Sequence, residues 1–156
     1  MNELQELYQE LIIDHGRHPR NFKYMDDASV SKEGFNPLCG DRLTLFLKIE
    51  NDKIIDVTFK GQGCAISMAS ASLMTDALKN KSVQEAKKIF QEFHEMVTGS
   101  CDKSATAFRS AHESGCEKLS ALKGVCEYPS RVKCATLAWH TLMAAIEHQP
   151  GNVSTE

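Results

Sequence analysis

Cys39, Asp41, Cys64 and Cys134 are four donors on three separate segments, and their types and settings read as one soft-metal site. Asn36-Pro37-Leu38-Cys39-Gly40-Asp41 is a turn leading into a strand. A Cys-x-Asp step along extended chain projects both side chains to one side, where a single cation reaches them. Gly61-Gln62-Gly63-Cys64 is a glycine-rich bend opening onto an apolar, small-residue helix, so Cys64 falls near a helix N-terminus, where the peptide dipoles favour thiolate. Cys134 follows Tyr128-Pro129-Ser130 and also lies near a helix start. Three thiolates and one carboxylate suit tetrahedral zinc, or an iron–sulfur cluster with one weak, exchangeable position.

The elements that must position these donors are legible from periodicity. Leu4, Leu7, Tyr8, Leu11 and Ile12 recur at helical spacing and predict an amphipathic helix over 2–14 that stops near His15-Gly16. Leu43, Leu45, Leu47 and Ile49 alternate with polar or mixed neighbours, and Ile55, Val57 and Phe59 do the same. The polar connection Glu50-Asn51-Asp52-Lys53 between them makes an antiparallel pair. A third, edge-like strand is expected over Ala28 to Lys32. After Cys64 a helix carries Met68, Leu73, Met74 and Leu78 to about Lys79-Asn80. Ser82-Val83-Gln84-Glu85 reads as a capping box for a helix bearing Ala86, Ile89, Phe90, Phe93 and Val97. Glycine and serine punctuate Thr98 to Gly124, where Cys116, Leu119 and Leu122 allow one short helix. The last helix, from about Arg131 to His148, buries Cys134, Leu137, Ala138, Leu142, Ala145 and Ile146, and Pro150-Gly151 releases a polar tail over 150–156. The expected fold is α+β: a small three-stranded antiparallel sheet packed against a layer of helices.

A chain of 156 residues fits a single domain with a sizeable core. Net charge −3 offers no clustered positive field for nucleic acid or an anionic membrane, so proteins are the expected partners. The first ten residues carry three glutamates and no basic residue, which is not the pattern of a secretory or transit signal, and no stretch is long enough to span a bilayer. The six cysteines are therefore expected as reduced thiols in a cytoplasmic setting. Cys101, Cys116 and Cys126 have no ligand partner at a metal-binding spacing and read as small buried hydrophobes. His15 and His18 read equally as loop-stabilising groups or partner contacts, while His94, His112, His140 and His148 read as solvated.

The wording around each donor resembles the IscU-type family of iron–sulfur cluster assembly proteins, and within it the SufU branch. The resemblance begins at Asp14-His15-Gly16-Arg17-His18-Pro19-Arg20-Asn21, runs through Asn36 to Asp41 and Gly63-Cys64-Ala65-Ile66-Ser67, and closes on Tyr128 to Trp139. It implies that Cys39, Asp41, Cys64 and Cys134 are the metal ligands. It also implies a zinc-bound acceptor of persulfide sulfur that serves a SUF-type cysteine desulfurase and hands sulfur to a downstream cluster assembly complex or to apo iron–sulfur proteins. Cys39 is the candidate acceptor, because it lies on a turn beside Gly40 where a partner's loop can approach closely. Asp41, a hard oxygen in a soft set, would loosen the site for exchange. Iron or a transient [2Fe–2S] cluster held by Cys39, Cys64 and Cys134 is the alternative cargo, which would make the chain a scaffold. A structural zinc module is the third reading.

Two departures from the IscU branch point toward SufU. Lys133 stands where IscU-type scaffolds carry a histidine ligand, and Glu127-Tyr128-Pro129-Ser130-Arg131 replaces their chaperone-recognition motif. SufU-type proteins also carry an insertion, which falls here over 98–124. Arg131 and Lys133, in the first turn before Cys134, could pair with Asp41, face an acidic patch on a partner or stand as ordinary solvated charges, the last being the expectation for Lys133.

Overall fold

The computed structural model describes residues 3–37, 39–98, 117–147 and 153–154. The expected α+β architecture is present. Helix α1 (Glu3–Arg17) precedes strands β1 (Val30–Asn36), β2 (Asp41–Glu50) and β3 (Lys53–Gln62). Helices α2 (Ala65–Leu78) and α3 (Val83–Thr98), a 3₁₀ helix (Glu117–Glu127), α4 (Pro129–Ile146) and the two-residue strand β4 (Val153–Ser154) follow. Most of the 98–124 segment, with Cys101, Cys116 and His112, lies outside the described residues, as does His148.

β1, β2 and β3 form the antiparallel sheet, in the order β3-β2-β1. Leu43, Leu45 and Leu47 point from β2 into the core beneath α2 and α4, each fully buried and each contributing about 1.5–3 kcal/mol of hydrophobic transfer. The tight β2–β3 turn places Asn51 and Asp52 in the left-handed region, φ 53° and 60°, which matches the twist of a hairpin.

Three expectations about the sheet need correction. The third strand runs over Val30–Asn36 rather than from Ala28 to Lys32, because it pairs with β2 down to the Asn36–Asp41 rung that closes the hairpin. In β3 it is Ile54, not Ile55, that enters the core: a register shift between Lys48 and Ile49 reverses the alternation at the hairpin end, leaving Ile55 exposed. Within the segment expected as a free tail, Val153 and Ser154 pair parallel to Gly34 and Phe35 as a fourth, edge strand.

The capping box forms as expected. The Ser82 amide donates to Glu85 Oε1 at 3.2 Å and the Glu85 amide donates to Ser82 Oγ at 3.0 Å. Helix α3 then packs on α4 and the 3₁₀ helix, with Phe93 stacked on Trp139 at a centroid distance of 4.4 Å. Among the described residues no helix is long and apolar enough to cross a membrane.

Two histidines, His94 and His140, depart from the expected solvated role. His94 stacks on Phe90, and His140 meets both rings edge-on at 5.5 Å, so the two imidazoles form an aromatic cluster between α3 and α4. His15 is buried, with Nδ1 2.7 Å from Ser72 Oγ. Burial holds both His15 and His140 below the ordinary histidine pKa, reinforced by the Arg20 charge at His15 and by His94 at His140.

A lowered folded-state pKa means that the unfolded chain takes up protons the native chain resists. Stability is therefore complete above about pH 6.5 and falls as the pH drops below it, before the carboxylates titrate. Urea midpoints measured at pH 8, 6 and 5 should decline across this window, and His140→Gln should flatten the decline. A wild-type midpoint that is level from pH 7 to 5 would count against this account.

Candidate metal centre

The donors converge at one end of the sheet because four elements end there. Asn36 and Asp41 face each other as the last rung of the β1–β2 hairpin, and the amides of Cys39 and Gly40 both donate to the Asn36 carbonyl, at 3.3 and 2.9 Å. Gly40 takes φ +72°, with nothing within 4 Å of where a side chain would start. Cys39 therefore reaches Asp41 through a hairpin turn and not through the strand alternation expected from sequence. The Cys39, Asp41 and Cys134 donor atoms all lie within 4.8 Å of one another, and the Cys39 and Cys134 sulfurs are 3.3 Å apart.

Cys64 is the N-cap of α2: its backbone is extended, and its sulfur accepts the Ser67 amide at 3.4 Å. That places the thiol where the first-turn amides stabilise negative charge. Its own amide donates to Asp41 Oδ1 at 2.8 Å, and its Sγ lies 3.9 Å from Asp41 Oδ2. Asp41 thus ties the hairpin to the helix start, although Cys64 stands at the edge of the tighter group formed by the other three. Gly63 makes this contact possible, since a Cβ there would come within 2.5 Å of Asp41 Oδ1.

Cys134 sits in the second turn of α4 and is fully buried. Burial above all pushes its thiol far up, with hydrogen bonds to Cys39, Asp41 and Cys64 adding to the shift. Only a strongly electropositive centre would displace its proton. Three thiols and a buried carboxylate gathered around one point could hold a soft divalent ion. The three sulfurs grade from exposed Cys39 through half-buried Cys64 to buried Cys134.

Residues 7–135 match the family model described as the NifU-like N-terminal domain. The chain is 38% identical over 148 residues to the protein named zinc-dependent sulfurtransferase SufU of Bacillus subtilis strain 168, covering 95% of each. It is 37% identical over 147 residues to the iron–sulfur cluster assembly scaffold protein IscU of Streptococcus pyogenes serotype M1, covering 94% of this chain and 87% of the relative. The chain belongs to the IscU/SufU-like family of iron–sulfur cluster assembly proteins. A solved member of that family, described as a scaffold protein for the SUF system of Fervidobacterium islandicum AW-1, superposes with a TM-score of 0.79 at 33% identity, covering 91% of this chain and 98% of that one.

Within this IscU/SufU-like site two further residues act on the donors. The exposed Arg131 guanidinium, in the first turn of α4, lies beside Cys134 and in the field of Cys64 and Cys39, and these neighbours raise its pKa still further. Asn36, fully buried, directs its side-chain amide at the Cys134 sulfur at 3.8 Å. The sequence signal for Asn36 was its place in Asn-Pro-Leu-Cys-Gly-Asp: an amide buried before a proline needs a polar partner.

Proposed function

We propose that this chain accepts sulfur from a SUF-type cysteine desulfurase onto Cys39 and relays it to the cluster assembly machinery, with zinc held by Cys39, Asp41, Cys64 and Cys134. The observation that carries this reading is the gradient of exposure across the three thiols: the one on the hairpin turn faces solvent while the other two are half-buried and buried. A site made only to staple the fold has no need of an exposed ligand on an open loop. The name of the Bacillus subtilis relative supports the same reading.

Bound zinc would keep the thiols deprotonated and nucleophilic at neutral pH. The Cys39 thiolate attacks the terminal sulfur of the desulfurase persulfide. A new S–S bond forms at Cys39 as the donor S–S bond breaks, the terminal sulfur carries its proton across, and the desulfurase cysteine leaves as thiolate. No outside oxidant or reductant enters the exchange. Arg131 stabilises negative charge at the sulfurs while they change partners. Cys64 and Cys134, anchored on α2 and α4, stay in place.

A second reading, a scaffold that builds a [2Fe–2S] cluster on Cys39, Cys64 and Cys134, draws on the names of the Streptococcus and Fervidobacterium proteins. The two readings separate in one assay. On the relay reading the zinc-loaded protein accelerates cysteine turnover by a SUF-type desulfurase, and mass spectrometry finds the first added sulfur on Cys39. A scaffold would need zinc removed before it took up iron and sulfide, and its zinc form would leave turnover unchanged. That outcome, or first sulfur on another thiol, would reject the relay.

A further inference from the structure

Helix α2 carries Cys64 at its N-cap and is buried nearly all round, with Met68, Leu73, Met74 and Leu78 as its large core side chains. From Ser67 to Leu78 every residue but Asp76 is buried, and many are alanine or serine, so the helix has no broad polar face to fix its rotation. Directional hydrogen bonds add to what packing supplies. On one side the Asp14–Asn21 segment, the family-like motif to which the site chemistry assigns no task, grips buried hydroxyls of α2. The Arg20 amide donates to Ser72 Oγ at 2.8 Å, and His15 Nδ1 meets the same oxygen at 2.7 Å. Asn21 Nδ2 donates to Thr75 Oγ1 and to Asp76 Oδ1, both at 3.0 Å, from a left-handed backbone at φ 58°.

On the other side, Trp139 Nε1 donates to Ser70 Oγ at 3.1 Å, and Ser70 donates to the carbonyl of Ala135, the residue after Cys134. At the start of α2, Gly16 lies flat against Ala65, the residue after Cys64: a Cβ on Gly16 would stand 3.1 Å from the Ala65 carbonyl oxygen. Both grips thus act on a helix whose first residues adjoin Cys64, and one of them ties that helix to the backbone beside Cys134.

We propose that Ser72, gripped by the His15 and Arg20 motif, is a positioning residue: together with Ser70 it sets the axial register of α2 and so fixes where Cys64 sits relative to Asp41, Cys39 and Cys134. The metal-binding consequence rests on the relay or scaffold function proposed above, but the register does not. Because Cys64 is the N-cap of α2 and meets Asp41 through its own amide, a displacement of a few tenths of an ångström at the helix start changes the ligand set without unfolding the protein.

The test uses Ser72→Ala, which deletes the gripped hydroxyl, and Gly16→Ala, which pushes directly on Ala65. Ile89→Val is the control, since it loosens the core through α3, which packs on α4 and the 3₁₀ helix. Each full-length variant is treated with iodoacetamide, as purified and again after chelator treatment, and alkylation is read residue by residue by mass spectrometry. Zinc affinity is measured by competition with a chromophoric chelator, and urea unfolding is recorded in parallel. Ser72→Ala and Gly16→Ala should alkylate Cys64 several-fold faster with Cys39 little changed, and should bind zinc about tenfold more weakly, the scale seen when groups that orient metal ligands are removed. Ile89→Val should lose stability with neither effect. Cys64 alkylation that tracks stability equally in all three variants would overturn the proposal, because the grip would then be ordinary packing. If wild-type protein holds no zinc on these thiols, the proposed function fails while the chelator-treated alkylation arm still decides the register.

Discussion

Cys39→Ala should reduce the stimulation of a cysteine desulfurase to background, a loss of about a hundredfold or more, as expected when a nucleophile is deleted outright. The protein should remain folded. Cys39 is exposed on a hairpin turn, so its truncation removes little buried surface, and the turn is held by backbone bonds to the Asn36 carbonyl that the substitution leaves alone. Cys134→Ala should behave differently. It empties a fully buried position, so metal content and stability should fall together with activity. The measurements are cysteine turnover with each variant at matched concentration, elemental analysis of the purified proteins and urea midpoints. Wild-type stimulation by Cys39→Ala would remove this residue from the chemistry. Equal losses of stability in the two variants would mean that Cys39 holds the fold as firmly as the buried Cys134 does.

Trp139→Ala should cost about 3–5 kcal/mol of stability, a large share of the 5–15 kcal/mol that holds a domain of this size. The indole is wholly buried, stacked on Phe93, and its N–H is committed to Ser70. Truncation therefore opens a cavity between α3 and α4 and removes a donor from a buried hydroxyl in the same step. Trp139→Phe keeps most of the stack and loses the donor, so it should cost about 1–2 kcal/mol, near the price of one buried hydrogen bond with a small cavity. Urea denaturation of both variants decides the matter. If phenylalanine costs as much as alanine, the Ser70 bond and not the ring is the larger contributor.

The four donors were legible as residue types because metal chemistry accepts few side chains, and their local settings could be read from neighbours in sequence. Cys64 does cap a helix, as the glycine-rich bend before it implied, and the Ser82–Glu85 capping box has the bonds its spacing requires. The alternation of Leu43, Leu45 and Leu47 identified the buried face of β2 correctly for the same reason: one face of a pleated strand is a local property. By itself the sequence determined the elements and the buried face of the central strand, and it named the side chains that the fold brings together.

Tertiary structure decided what depends on pairing and packing between distant segments. Which isoleucine of β3 enters the core turned on a register shift opposite Lys48 and Ile49, and a shift belongs to two strands, not to one. The contact between His94 and His140 arises because α3 and α4 pack with Phe90 between them, which no i+3 or i+4 pattern encodes. The same holds for the grip of Arg20 and His15 on Ser72, more than fifty residues away. Local periodicity tells each segment which side to bury; only the meeting of those sides sets the distances, and at this site the distances decide which thiol is open to solvent and which are held in place.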